Sequence, residues 1–374
     1  MSRSPSLTVS RFHENGRSAG LGRGRGRPTG NAAIDEGTVE WCYDTIGAVS
    51  RTFALTVEAL EEPMAREVCV GYLVCRVADT VEDDPRIPPA EKAALLRTYD
   101  RTLAPDTDTD GTEFRRQAKP WFPADPGPDW EVVANAPRVL GALDGLGPTT
   151  RARIVPPVRE MVGGMATFVD RYADEPGLRV QTAPELEEYC QYAAGTVGTL
   201  VTSLVAAGAD TPTTDRLRET ARSFGLLLQV VNVAKDAGGD YTEEDNVYLP
   251  AAWLEAAGVT PADLGDPAAA DRVAPVIERA TAHAETYLDD AQAWLEAMPE
   301  DRGNRLSAWA TPYLLAVGTI RELTRRPADA VREGDVKVER AEVAAVLSAF
   351  EAGATAAGLG DLRAKVRERP LQEY

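Results

Sequence analysis

The stretch from Val68 to Asp84, VCVGYLVCRVADTVEDD, constrains the fold more than any other part of the chain. It begins as an almost unbroken apolar run and ends in acidic residues. Such a run is too short to span a bilayer and too long for an ordinary strand, so it predicts a buried helix. The last turns of that helix would bring carboxylates into an apolar interior, which is costly unless a cation compensates.

One face of this helix is predicted to be polar. At spacings of four, three and four residues come Tyr72, Arg76, Asp79 and Asp83, with Glu82 beside them. These spacings place side chains on one side of a helix. Because 59 of the 374 residues are acidic, the spacing alone would often arise by chance. The apolar surroundings of the acids distinguish the stripe from a solvated helix face.

A second stretch, FGLLLQVVNVAKDAGGD, repeats this arrangement later in the chain. At spacings of three, four and four residues it carries Gln229, Asn232, Asp236 and Asp240. Two facing carboxylate stripes predict a hard-cation site, because Mg²⁺ prefers oxygen ligands and is usually shared between one or two carboxylates and a substrate phosphate. The predicted Mg²⁺ ligands are Asp79, Glu82, Asp83, Asp236 and Asp240.

Composition excludes several classes of function. The net charge of −19 argues against a nucleic acid partner and against simple docking on anionic lipid. Lysine supplies only five of the 40 basic residues, a surface typical of halophilic cytoplasmic proteins, although an acidic protein from a GC-rich genome would look similar. Four cysteines without CxxC spacing and two histidines leave little for a disulfide framework, a zinc site or a histidine-based triad.

Four segments then carry a resemblance to a known family: SRTFALTVEAL, YLVCRVADTVEDD, YCQYAAGTVG and LLLQVVNVAKD, in this order. From about Asp35 to about Phe350 the chain resembles the squalene and phytoene synthases, and YLVCRVADTVEDD is most similar to squalene synthases. The resemblance implies an all-α isoprenoid-synthase fold, a single large helical domain around a central prenyl-binding cavity. It implies that two farnesyl diphosphates condense head to head to presqualene diphosphate, which NADPH reduces to squalene.

The resemblance also implies roles for individual residues. Tyr189 matches the family's active-site tyrosine, where it would shield a carbocation or help remove a proton. The SR-x-F segment would lie near a substrate diphosphate, which suits the forked donors of arginine. The expected catalytic residues are Tyr189, Arg76, Tyr72 and Phe53; the expected diphosphate-binding residues are Ser50, Arg51, Arg76, Gln229, Asn232 and Lys235; the candidates for the NADPH phosphates are Lys337 and Arg340.

Two departures from the family pattern weaken the expected hold on one diphosphate. Lys235 stands where relatives usually have arginine, which keeps the charge but loses bidentate contact. Asp245 and Asn246 stand where relatives have Gly-Arg. Because the sequence carries no self-contained nucleotide-binding motif, a phytoene or dehydrosqualene synthase, which needs no reductant, is the alternative, and a non-catalytic helical relative is a third interpretation. The oligomeric state is left open.

The chain divides into three predicted parts. Residues 1–34 form a disordered basic Gly/Arg tail or an upstream start-codon artefact, 35–362 form the helical catalytic domain, and 363–374 form a frayed charged end. Residues 104–129 are expected to be an irregular surface connection without chemistry. Because no stretch has the length of a membrane span, we expect a cytoplasmic protein without a transmembrane anchor, compatible with transient membrane contact for product release.

Within the helical part, Gly163 and Gly164 lie together in a helical pattern. Glycine costs stability there, so the pair is expected to leave room for a neighbour. A packed helix and a prenyl chain would explain it equally well.

Overall fold

The computed structural model describes residues 34–105, 107–334 and 336–374. Within these residues the chain forms 19 α-helices and no strand, apart from one isolated β-bridge between Arg179 and Val247. In chain order, α1 to α19 are Glu36–Val49, Arg51–Glu58, Met64–Asp83, Pro89–Leu103, Gly111–Ala118, Pro128–Ala134, Ala136–Gly145, Pro148–Arg171, Ala183–Cys190, Thr196–Val205, Thr211–Lys235, Ala237–Glu244, Ala251–Ala256, Ala270–Glu285, Leu288–Glu296, Leu306–Arg325, Asp329–Arg332, Arg340–Glu351 and Leu359–Glu368.

The predicted all-α fold is thereby confirmed, and the residues from Ala33 to Tyr374 form one compact unit. No helix in the described part of the chain is both long and apolar enough to cross a bilayer. The folded domain begins at the predicted position. The side chain of Asp35 accepts a hydrogen bond from the Thr38 amide and caps α1. The predicted tail lies, apart from Ile34, outside the described residues.

Helix α3 is central and carries the first acidic stripe. Of its 20 residues, 15 are buried, and it packs against α1, α2, α4, α6, α7, α8 and α10. The five that are not fully buried are Arg66, Tyr72, Arg76, Asp79 and Asp83. Four of these form the predicted polar face. The prediction is confirmed, since the helical spacing places these four residues on the side of α3 that its neighbouring helices do not fully cover.

Helix α11 carries the second stripe and ends at its acids. It runs to Lys235, and Asp236 then leaves the helical conformation with φ −100° and ψ 8° before α12 begins. Gly238 lies in the first turn of α12, where a Cβ atom would be 3.0 Å from the Ala330 carbonyl oxygen. This glycine therefore permits close packing of α12 against α17.

A π-helical turn, Gln191–Gly195, lies within the segment YCQYAAGTVG and separates α9 from α10. The adjoining glycines allow backbones to touch: a Cβ on Gly225 would be 2.2 Å from the Ala194 carbonyl oxygen, and one on Gly198 would be 2.4 Å from that of Ala221. The π turn and α10 therefore pack unusually close to α11. Such π turns are frequent at functional sites.

The glycine pair in α8 has one packed neighbour. A Cβ on Gly164 would be 2.1 Å from Cγ of Tyr192 in the π turn, whereas one on Gly163 would have nothing within 4 Å. Of the two interpretations, the structure supports helix packing at Gly164, and Gly163 faces open space.

Two predictions about irregular segments are wrong. Residues 104–129 contain α5 and a 3₁₀ turn, Lys119–Trp121, because Phe114 and Ala118 bury an apolar face. Residues 363–374 are not frayed, since α19 runs to Glu368 with Val366 fully buried, and a 3₁₀ turn, Leu371–Glu373, follows.

A buried ion pair holds the C-terminal helices in place. Arg321 of α16 donates two hydrogen bonds to the Glu342 carboxylate of α18, each at 2.8 Å. It also donates to the Val366 carbonyl of α19 at 2.6 Å. The side chains of Arg321 and Glu342 are 4% and 2% exposed. The pair therefore joins three helices, including α19, whose last residues belong to the segment that was predicted to be frayed.

Candidate active site

A cavity of about 360 Å³ lies between α2, α3, the π turn, α10, α11 and α16. Six of the predicted site residues line it together: Ser50, Phe53, Tyr72, Asp79, Gln229 and Asn232. Much of its remaining wall is apolar, including Val197, Val201, Leu228 and Trp309. The cavity therefore joins a polar end to an apolar interior, as predicted for a site that binds a prenyl diphosphate.

The side of the cavity formed by α2 and α3 is held together by two stacked aromatic rings. Phe53 and Tyr72 stack with ring centroids 4.2 Å apart and an interplanar angle of 21°. The Ser50 hydroxyl oxygen accepts a hydrogen bond from the Phe53 amide at 3.2 Å and caps α2. The cap fixes the start of α2 beside α3, so Ser50, Phe53 and Tyr72 are positioned as a unit.

Arg76 is held by a partner that the sequence did not indicate. Its guanidinium donates to the Asp129 carboxylate, with Nε and NH2 2.8 and 2.7 Å from Oδ1. The next residue, Trp130, donates from Nε1 to Oδ2 of Asp84 at 2.9 Å, and Arg86 pairs with the same carboxylate. Asp129, the last residue of the segment predicted to have no chemistry, thus holds Arg76, and the next residue, Trp130, holds Asp84 just after the end of α3.

Burial and like charges raise the pKa of several acids. Burial, followed by the charge of Asp83, raises the pKa of Asp79 to about 7. Burial, followed by the charges of Glu244 and Asp236, raises the pKa of Asp240 to about 8. Asp83 of α3 also raises the pKa of Asp240. The carboxylates of the two stripes therefore interact electrostatically between α3 and α12.

Glu244 is an acid that the sequence reasoning missed. It follows Asp240 by four residues in α12, and burial, followed by the charge of Asp83, raises its pKa to about 7. The spacing of Asp236, Asp240 and Glu244 could have revealed it, since the three continue one helical stripe. With Glu82 and Lys92 it lines a second cavity of about 170 Å³. Glu82 therefore lines this second cavity and does not line the prenyl cavity.

The acids do not form a closed metal cage. Across residues 34–105, 107–334 and 336–374, no three Asp, Glu, His or Cys side chains lie close enough together to hold a metal ion. Mg²⁺ does not require such a cage, because it keeps several waters and shares one or two carboxylates with substrate phosphates. Burial, followed by neighbouring carboxylates, raises the pKa of Asp79 and of Asp240, and a bound cation would offset both effects. The oxygen donors present therefore fit Mg²⁺.

Two lysines partly offset this acidity. Lys235 pairs with the adjacent Asp236, and its side chain is 20% exposed. Lys92 contacts the Glu82 carbonyl oxygen at the C-terminal end of α3. Lysine at position 235 thus already has a carboxylate partner, which reinforces the expectation that its contact with a diphosphate is weaker than that of arginine.

Tyr189 is buried, with 4% exposure, and lies outside the lining of the prenyl cavity. Its hydroxyl donates to the Tyr248 hydroxyl at 3.3 Å, and the two rings stack at 4.8 Å. Burial, followed by the charge of Glu82, raises the pKa of Tyr189, so its hydroxyl keeps its proton. The structure places this tyrosine beside the acids.

None of the five predicted basic residues lines the cavity, and two of them, Arg76 and Lys235, are held by carboxylates outside its lining. Arg51, Lys337 and Arg340 are exposed, and none of them lines it. The residues proposed for the NADPH phosphates therefore do not form a preassembled pocket with the prenyl site.

The departure at Asp245 and Asn246 has a structural consequence. Asp245 adopts a left-handed conformation with φ 56°. Asn246 is 7% exposed, and its side chain accepts from the Leu178 amide at 2.8 Å and donates to the Tyr248 hydroxyl at 3.1 Å. Asn246 thus fixes the loop ahead of Tyr248 and contributes no positive charge.

Solved structures of similar fold agree with this architecture. TcSQS in complex with a ligand superposes with a TM-score of 0.72 at 23% identity, covering 90% of this chain and 99% of that one. A dehydrosqualene synthase in complex with a ligand gives a TM-score of 0.60 at 22% identity, covering 85% and 96%. At these identities the likeness establishes the fold.

Sequence comparison identifies the family. A squalene synthase of Botryococcus braunii, designated LSS, is 27% identical over 311 residues. The aligned region is 82% of this chain but only 62% of that relative. The sequence profile of the squalene/phytoene synthases matches residues 46–342, which is most of the chain. The four-segment resemblance is therefore confirmed, and the chain belongs to the squalene/phytoene synthase family of prenyltransferase-type enzymes.

Proposed function

We propose that the protein condenses two farnesyl diphosphates head to head to presqualene diphosphate and reduces this intermediate to squalene with NADPH. The observation that carries the proposal is a cavity whose polar end is formed by Asp79, Gln229 and Asn232 and whose remainder is largely apolar. Such a cavity can bind a diphosphate at one end and keep a prenyl chain away from water at the other.

At the polar end, the side chains divide the work of binding the diphosphate. The amides of Gln229 and Asn232 and the hydroxyl of Ser50 donate hydrogen bonds to its oxygens. Arg76, oriented by Asp129, supplies a forked cation. When bound, Mg²⁺ neutralises the diphosphate and makes it a better leaving group. The residues that would hold it, one or two at a time together with diphosphate oxygens, are Asp79, Glu82, Asp83, Asp236 and Asp240.

The apolar walls protect an allylic cation after the diphosphate leaves. Water would quench this cation before a second prenyl chain could attack it, so exclusion of water is part of catalysis. The stacked rings of Phe53 and Tyr72 line the same cavity and present aromatic faces that stabilise a nearby cation. Tyr189 keeps its proton and orients the Tyr248 hydroxyl beside the acids.

A second candidate function omits the reduction. Because Lys337 and Arg340 lie outside the prenyl cavity, the reductant has no preassembled basic site there. This observation favours a phytoene or dehydrosqualene type of synthase, in which the intermediate loses its diphosphate and a proton instead of accepting hydride.

Product identification with labelled reductant separates the two candidates. Purified protein is incubated with farnesyl diphosphate, Mg²⁺ and NADPH that carries deuterium at the transferred position. Squalene containing one deuterium supports the first proposal, and an unlabelled C30 triene or diene supports the second. Asp79→Ala and Asp236→Ala should lose all product while circular dichroism still shows the helical fold, because each removes an oxygen donor and leaves the core intact.

A further inference from the structure

An aromatic wall closes the end of the prenyl cavity remote from the acids. We use this name for Phe224 of α11, Trp309 of α16 and Trp294 of α15, which joins them. Phe224 and Trp309 line the cavity directly. The ring centroids of Phe224 and Trp294 are 4.4 Å apart, and those of Trp294 and Trp309 are 6.3 Å apart at 72°. Three rings from three helices thus form one continuous barrier.

Hydrogen bonds fix this wall in place. Trp309 is 2% exposed, and its Nε1 donates to Oδ1 of Asn304 at 2.7 Å. Asn304 is itself fully buried, and its Nδ2 donates to the Pro299 carbonyl oxygen at 2.7 Å. Trp294 donates from Nε1 to the Thr202 hydroxyl at 2.9 Å. Moving either indole would leave a buried polar group without its partner, so the wall resists displacement.

The wall lies at a defined distance from the diphosphate end. Asn232, at that end, and Phe224, in the wall, are eight positions apart on the same helix. At 1.5 Å per residue they are separated by about 12 Å along the helix axis. A prenyl chain anchored near Asn232 therefore extends along α11 toward Phe224 and meets the wall.

We infer that the aromatic wall sets the length of the prenyl chain, so that the cavity accepts a C15 diphosphate and rejects a C20 diphosphate. The inference rests on the proposed function, which it sharpens by naming the substrate class and the residues that select it. The additional prenyl unit of a C20 chain would need the space that Trp309 and Phe224 occupy. The indole of Trp309 cannot yield that space without breaking its bond to Asn304.

Trp309→Ala opens the wall and tests this directly. Farnesyl and geranylgeranyl diphosphate are supplied in competition, and the C30 and C40 products are counted. The wild-type protein should favour the C15 substrate. The variant should shift the ratio of kcat/KM toward the C20 substrate by at least about tenfold, since even small changes in an apolar pocket are worth that much discrimination.

Two further variants make the result decisive. Trp253→Ala is the matched control, because Trp253 is 5% exposed and its removal is an equal truncation away from the cavity. It should leave the C15 to C20 ratio unchanged. Phe224→Ala opens the same wall from α11 and is used if Trp309→Ala does not fold.

The outcomes separate this inference from the proposed function. If the wild-type protein makes no prenyl product from either substrate, the proposed function fails. If it makes a C30 product but both wall variants leave the substrate ratio unchanged, the wall does not select chain length. A wild-type preference for the C20 substrate also overturns the inference.

Discussion

The adjacent glycines of α8 allow a sharp test of packing at the π turn. We expect Gly163→Ala to stabilise the protein and Gly164→Ala not to. Replacing glycine by alanine inside a helix is worth about 1 kcal/mol when nothing obstructs the new methyl group. A Cβ on Gly163 has nothing within 4 Å, so this variant should gain the full amount.

At Gly164 the same methyl group meets Tyr192. It would be 2.1 Å from Cγ, 2.4 Å from Cδ1 and 2.6 Å from Cβ of that residue. Because Cβ moves only with the backbone, ring rotation cannot relieve the contact. Overpacking of this kind costs about 1–3 kcal/mol, which offsets or exceeds the gain in helix propensity. The two variants should therefore differ in free energy of unfolding by about 1–3 kcal/mol, with Gly164→Ala the less stable.

Equilibrium unfolding in urea measures this difference, with the slope checked for a change in two-state behaviour. Equal stabilisation by both substitutions would refute the packing argument. A Gly164→Ala variant as stable as Gly163→Ala but with a much raised KM for farnesyl diphosphate would instead show that the space serves the prenyl chain.

Three other predictions concern charge. Repulsion among uncompensated acids predicts a higher Tm in about molar KCl than in dilute buffer, and an unchanged or lower Tm would contradict it. The pKa of Asp240 in the folded protein, about 8, exceeds its ordinary value of 3.8. Between pH 3.8 and about pH 8, Asp240 is therefore protonated in the native state and ionised in the unfolded state. Metal-free protein should thus be more stable at about pH 5.5 than at about pH 7.5, and Asp240→Asn should flatten that slope; a slope identical in the variant would contradict this. Glu342→Ala leaves Arg321 buried without its main partner and should cost about 3–5 kcal/mol by urea unfolding, whereas a loss below about 1 kcal/mol would show that Glu322 compensates.

The features that could be predicted from the sequence are those encoded within a single helix. Helical spacing placed Tyr72, Asp79 and Asp83 on the open face of α3. Periodicity sufficed there because the sides of a helix are set by its own backbone geometry.

The features that were missed join elements distant in the sequence. The pairing of Arg76 with Asp129 spans 53 positions, and neither flanking sequence indicates it. The packing of α19 depends on Arg321 reaching the Val366 carbonyl, and the charged composition of residues 363–374 gives no sign of that contact. Such contacts depend on how the helices pack, and a local pattern carries no information about it.

The proposed function places the head-to-head condensation of two farnesyl diphosphates at the acids of α3 and α11–α12. The most direct measurement is an incubation with farnesyl diphosphate and Mg²⁺ but no reductant, analysed by mass spectrometry for a C30 diphosphate. The account predicts that presqualene diphosphate accumulates with the wild-type protein and is absent with Asp79→Asn and Asp240→Asn. Absence of any C30 product from folded wild-type protein, or equal accumulation with the two variants, would contradict it.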